Sequence, residues 1–144
     1  MEKFFNAKKQ RRKGAKIMEN EISYKVIGAA IEVHRLLGGP GLLESIYESA
    51  LCHELTLNGL RIERQKHVPV TYKGVMIREP YILDILVENK VIIEVKATEK
   101  EQDIHKAQLL TYLRLSDIKL GLLINFGRSS VKEGICRVVN GLFV

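Results

Sequence analysis

The stretch Tyr81–Ala97, YILDILVENKVIIEVKA, constrains this chain more than any other part of it. Two β-branched apolar runs are split by Glu88-Asn89-Lys90, the pattern of a β-hairpin. Three charges interrupt the runs: Asp84 in the first, Glu94 and Lys96 in the second. Side chains alternate faces along a strand, so Glu94 and Lys96 share one face and Val91, Ile93, Val95 and Ala97 take the other. Asp84 joins Glu94 only if the strands pair with an even offset. A three-residue loop at 88–90 sets 87 against 91 and 84 against 94; a two-residue loop turns Glu94 away.

With the three-residue loop, two carboxylates and an ammonium converge on one face of the hairpin. Hard divalent cations prefer oxygen ligands, and Mg²⁺ is commonly held by one or two carboxylates with waters and phosphate. A lysine beside it can stabilise charge that develops on a phosphate. Glu-x-Lys alone also describes a half-exposed strand with solvated charges, which is the commoner case.

A chain of 144 residues is long enough for one domain with a sizeable core. No apolar run approaches the ~20 residues of a membrane span, and no apolar segment follows the basic N-terminus as in a signal peptide. Cys52 and Cys136 have no metal-type spacing and suggest reduced thiols in a cytoplasmic protein, a bridge between the two being the alternative. The net charge of +6 is concentrated at one end. Residues 1–16 hold seven Lys/Arg and one acid, and the rest is balanced. Residues 1–17 therefore read as a basic, disordered tail and 18–144 as the folded domain. The tail is also a candidate nucleic-acid arm. Alternatively, Met18 is the start, Arg11-Arg12-Lys13-Gly14 being what a translated ribosome-binding site can encode.

Apolar spacing predicts a helix over 19–37, with Ile22, Val26, Ile27, Ala30, Val33 and Leu37 on one stripe and His34 among them. Such a histidine is more often a hydrogen-bonded core residue than a ligand. Gly38-Gly39-Pro40-Gly41 ends that helix. A second is expected over Leu42–Asn58, with Leu43, Ile46, Tyr47, Ala50 and Leu57 on one face and Gly59 as its stop. Glu44 sits at the edge of that face, in the first turn, where the helix dipole already favours a carboxylate. Residues 60–65 and 67–72 read as strand pieces, with Pro69 marking an edge or bulge. Lys73-Gly74 is a turn. Residues 101–115 read as a helix with Leu109, Leu110 and Leu113 inward and His105, Gln108 and Tyr112 in an adjacent stripe. Residues 118–126 read as a central strand; 131–139 fit either a strand or a helix, a strand being preferred.

The ordered set is a helix glutamate (Glu44), a hairpin Asp84, Glu94-x-Lys96, and a helix with Gln108-x-x-x-Tyr112. It resembles the PD-(D/E)XK nuclease superfamily. Gly41-Leu42-Leu43-Glu44-Ser45-Ile46-Tyr47 resembles the motif of its GxxExxY family, and the likeness extends over roughly Ile22–Asn140. The resemblance implies an α/β, restriction-endonuclease-like core: a central mixed sheet whose site-bearing hairpin is flanked by helices. It implies Asp84 and Glu94 as ligands of Mg²⁺ or Mn²⁺, with the Val95 carbonyl as a third. Lys96 would position the attacking water or stabilise the phosphorane-like charge. Glu44 would hold a water or a second metal, and Gln108 and Tyr112 would line the site. The implied activity is phosphodiester hydrolysis of nucleic acid, DNA rather than RNA. Two positions depart from the pattern: Leu83 stands where the nominal proline would be, and Ile82 is apolar where a basic phosphate contact is expected. The rival is a non-catalytic nucleic-acid-binding or protein-interaction domain on the same fold, which the neutral charge of residues 17–144 favours. Nothing in the sequence sets the oligomeric state, a homodimer being one option.

Overall fold

The computed structural model describes residues 17–100 and 103–141. The expected tail, up to residue 16, lies outside the described residues. Ile17, expected to belong to that tail, instead packs against the core, and its carbonyl accepts a 2.9 Å hydrogen bond from Lys90 Nζ.

The chain forms α1 (Glu19–Leu36), α2 (Glu44–Leu57), β1 (Ile62–Tyr72), β2 (Val75–Val87), β3 (Val91–Lys96), α3 (Asp103–Ser116), β4 (Leu120–Asn125), a 3₁₀ turn (Val131–Gly134) and β5 (Ile135–Val139). The strands make one sheet in the order β1-β2-β3-β4-β5. Only β3 and β4 are parallel, and α3 makes the crossover between them. This is the mixed sheet flanked by helices expected of a restriction-endonuclease-like core.

Both faces of the sheet are covered. On one, α1 and α2 pack Ile22, Val26, Tyr47, Leu51 and Leu55 against Ile85, Val87, Val91, Ile93, Val95, Leu122 and Ile124. On the other, α3 packs Leu109 and Leu113 against Leu83, Leu86, Ile92 and Leu123. Burial on both faces explains the nearly unbroken apolar runs of β3 and β4. Leu110, expected inward with its neighbours, is only half-buried.

The helix ends follow the local chemistry. In α2, Gly59 N–H donates to Thr56 O and Leu60 N–H to Leu55 O, a Schellman closure with Gly59 at φ +82°. A Cβ there meets nothing within 4 Å, so the cost of a side chain is conformational alone. Gly59→Ala is expected to lower stability by about 1 kcal/mol, measured by denaturant unfolding.

Two expectations need correction. The strand pieces at 60–72 are one strand, β1, an edge of the sheet whose pairing shifts on both sides of Val70, next to Pro69. Pro69 has no N–H to give to the ladder, which is why the irregularity falls there. Residues 131–139 are a 3₁₀ turn, whose Gly134 lies against the Asn125 carbonyl, followed by a shorter strand.

The α2 face is also rotated from the expected one. Its buried residues are Tyr47, Glu48, Leu51, Cys52 and Leu55, while Leu43, Ile46 and Leu57 are exposed. Apolar residues lie almost all the way round this helix, so periodicity does not single out one face. The rotation turns Glu48 inward and leaves Glu44 exposed.

Candidate active site

The site is built where the central hairpin comes apart. Strands β2 and β3 pair through Val87↔Val91, Leu86↔Ile92 and Ile85↔Ile93. The three-residue connection Glu88-Asn89-Lys90 is closed by Lys90 N–H donating to Val87 O at 2.9 Å. Its first two residues take positive φ, +52° and +55°. The next opposed positions are Asp84 and Glu94, as the even offset requires. From there β2 continues along β1 and β3 along β4.

The two carboxylates occupy this fork and replace the ladder. Glu94 Oε1 accepts the Asp84 backbone N–H at 3.2 Å, and Asp84 Oδ2 accepts the Val95 N–H at 2.8 Å. Each side chain is thus fixed by the other's strand. Gln65, which falls opposite Asp84 in β1, takes φ +51° and drops out of the ladder between Arg64↔Ile85 and Lys66↔Leu83.

Crowding and burial set the protonation of the pair. Glu94 is 8% exposed, and burial, followed by the charge of Asp84, pushes its pKa up to about 8. Burial also raises Asp84; the Val95 N–H lowers it, the charge of Glu48 raises it, and Lys96 lowers it. The two carboxylates face each other across the fork, so the charge of each disfavours ionisation of the other. Lys96 is half-buried, and its ammonium acts on both carboxylates.

The helices contribute differently from expectation. The carboxylate whose charge reaches Asp84 from α2 is Glu48, one turn beyond Glu44. Glu48 is buried and held by Arg64 (Nη2 at 2.8 Å) and Gln65 (Nε2 at 3.1 Å). The sequence signal for it was a charge among Tyr47, Leu51 and Cys52, visible once the helix is correctly rotated. Cys52, beside it, is a free thiol whose pKa burial raises to about 11, so it stays protonated. Cys136 is the other free thiol.

In Gly41-x-x-Glu44-x-x-Tyr47 the outer residues are structural. Gly41 has φ +110°. Tyr47 is fully buried, donates to Gly39 O at 2.7 Å and accepts the Leu42 N–H at 3.2 Å. Its ring stacks on Phe126 with centroids 4.7 Å apart. His34 lies beside these rings with Nε2 3.1 Å from Arg128 O, a core histidine satisfied by the backbone.

From α3, Tyr112 is half-buried, and its pKa is raised by burial and then by the charges of Glu94, Tyr81 and Asp84. His105, near Lys96, is held below its usual pKa by burial and by that lysine. Gln108, between them in sequence, is exposed.

A divalent cation fits the donor set at the fork. Two oxygens, Asp84 Oδ1 and Glu94 Oε2, are not the acceptors of the backbone bonds just described, and two buried carboxylates side by side make the fork a place where positive charge is favoured. Among the described residues no group of three His, Cys, Asp or Glu side chains is arranged to hold a metal. A cation held at the fork would complete its shell with backbone oxygen, water or phosphate.

No curated protein and no solved structure matches the chain. No helix among the described residues is long and apolar enough to cross a membrane. The family model of the PD-(D/E)XK nuclease superfamily matches residues 20–138, which includes all but the first residue of α1, the forked hairpin, α3 and all but the last residue of β5. Carboxylates at 84 and 94 with a lysine at 96 are what that superfamily's name spells out, and this chain belongs to it.

Proposed function

We propose that the protein is a metal-dependent nuclease that hydrolyses phosphodiester bonds, in DNA rather than RNA, and that it falls in the GxxExxY family. The observation that carries this reading is the fork. Asp84 and Glu94 are locked to opposite strands, share burial, and have Lys96 beside them. Nucleases of the superfamily generally use divalent metal ions. Here Asp84, Glu94 and the Val95 carbonyl would hold Mg²⁺ or Mn²⁺. Bound there, the cation neutralises charge on the scissile phosphate and lowers the pKa of water.

The chain's own residues supply the rest. Asp84 and Glu94 are oriented by backbone N–H groups and need no rearrangement to act as ligands. Lys96 orients the attacking water and stabilises the charge growing on the phosphoryl oxygens. Glu48 takes the helix position that the resemblance gave to Glu44, its carboxylate held by Arg64 and Gln65. Tyr112 lines the site beside Glu94. The two free thiols fit a reducing compartment such as the cytoplasm.

A second reading, a nucleic-acid-binding or protein-interaction domain without catalysis, is favoured by the balanced charge of the chain beyond residue 16. Incubation of the full chain with single-stranded, duplex and branched DNA and with RNA separates the two. Cleavage in Mg²⁺ or Mn²⁺ that chelator stops is the result expected of the nuclease. Binding without cleavage under every condition supports the second reading.

A further inference from the structure

The β1–β2 pair runs on past the fork as a two-stranded arm, and its pairing is irregular in a way that gathers three side chains. From Val68↔Tyr81 to Val70↔Arg78 the arm advances two residues on β1 and three on β2. One extra residue on β2, at Glu79-Pro80, is a β-bulge. Residues three apart in a regular strand face opposite ways; with the bulge between them, Arg78 and Tyr81 face the same way. The Arg78 guanidinium lies over the Tyr81 ring, 4.3 Å from its centroid, and its Nε donates to Glu79 O at 2.9 Å. Tyr81 in turn meets Tyr112 of α3, with ring centroids 4.8 Å apart.

Arg35, Arg61 and Arg64 each face a carboxylate. Arg78 is exposed and, among the described residues, is paired with no acid; a ring fixes its plane instead. Tyr81 is three residues from Asp84, and Tyr112 feels the charges of both site carboxylates and of Arg78. An oriented guanidinium beside an acidic fork supplies what two carboxylates cannot, an attraction for a polyanion.

We propose that Arg78, stacked on Tyr81, binds a backbone phosphate of the nucleic-acid strand lying across the fork. This rests on the nuclease reading above. The test uses the full chain carrying Glu94→Gln, to suppress cleavage, and a fluorescent single-stranded DNA oligonucleotide titrated over a range of salt. Adding Arg78→Gln is expected to weaken binding about ten-fold and to flatten the log Kd against log salt slope by about 0.7. Arg78→Lys should keep the slope and lose part of the affinity, since the charge remains and the planar stack does not. An unchanged melting temperature in both variants is expected of an exposed residue. If Arg78→Gln binds with the parent's affinity and slope, or Arg78→Lys flattens the slope as far as Gln does, Arg78 is not a phosphate contact and the nuclease reading stands. If the parent binds neither this oligonucleotide nor duplex DNA nor RNA, both fall.

Discussion

Single replacement of Asp84, Glu94 or Lys96 by Ala is expected to reduce metal-dependent cleavage by about 10³-fold or more while the protein stays folded. The three residues act on the same phosphate, so their losses should not add; the triple variant should be little worse than the worst single one. The fold should survive because Asp84→Ala and Glu94→Ala each lose one backbone hydrogen bond at the fork while the apolar packing on both faces of the sheet remains, and Glu94 is partly a burden to it. Asp84→Asn makes a stricter test, since its side-chain oxygen can still accept the Val95 N–H that Oδ2 now accepts at 2.8 Å. It should be as inactive as Asp84→Ala and melt closer to the wild type. Cleavage that survives these substitutions would place the chemistry elsewhere.

The second large effect is on stability and runs in the opposite direction. Glu94 has a folded-state pKa of about 8 against an ordinary value of 4.5. Between those values the folded protein binds more protons than the unfolded chain, so stability falls as pH rises through that window. Below the ordinary carboxylate range the full stability is present; above about 8 the contribution is lost. Glu94→Gln removes the dependence and keeps an oxygen for the Asp84 N–H. At neutral pH without metal it should be more stable than the wild type by about 1–2 kcal/mol, Lys96 offsetting part of the burial penalty. The gain should shrink towards pH 4 and grow towards pH 8. Thermal melts of both proteins across that range read this directly. A solvated strand face would instead give a difference within about ±0.5 kcal/mol at every pH.

The hairpin was legible in the sequence because two constraints agreed. The polar triplet Glu88-Asn89-Lys90 set the loop length, and apolar alternation on both sides set the faces, so the pairing of 84 with 94 followed. The superfamily was legible because the same residues recur in order along the chain. The helix carboxylate was harder. Leu43, Ile46, Ala50, Leu51 and Leu57 surround α2 with apolar surface, and the sequence cannot say which arc the sheet covers; packing against α1, β1 and β3 decides it and turns Glu48 inward. Arg78 was invisible for a different reason. Strand alternation puts it opposite Tyr81, and only the bulge beside Pro80 reverses that. Pro69 signalled an irregularity in β1, but not that the extra residue would sit on its partner. His34 and Tyr47 went the other way, to packing and loop closure, as buried ring residues usually do.

A nuclease site at the fork requires that the fork bind a divalent cation. Calorimetric titration of Mn²⁺ into the full chain, with Glu94→Ala and Asp84→Asn alongside, tests it without any knowledge of the substrate. Saturable binding by the wild type is expected, with proton release because the cation displaces the proton that Glu94, with a pKa of about 8, holds at neutral pH, and with loss in both variants. A wild type that takes up no Mn²⁺ at millimolar concentration, or variants that bind it as the wild type does, would contradict the account.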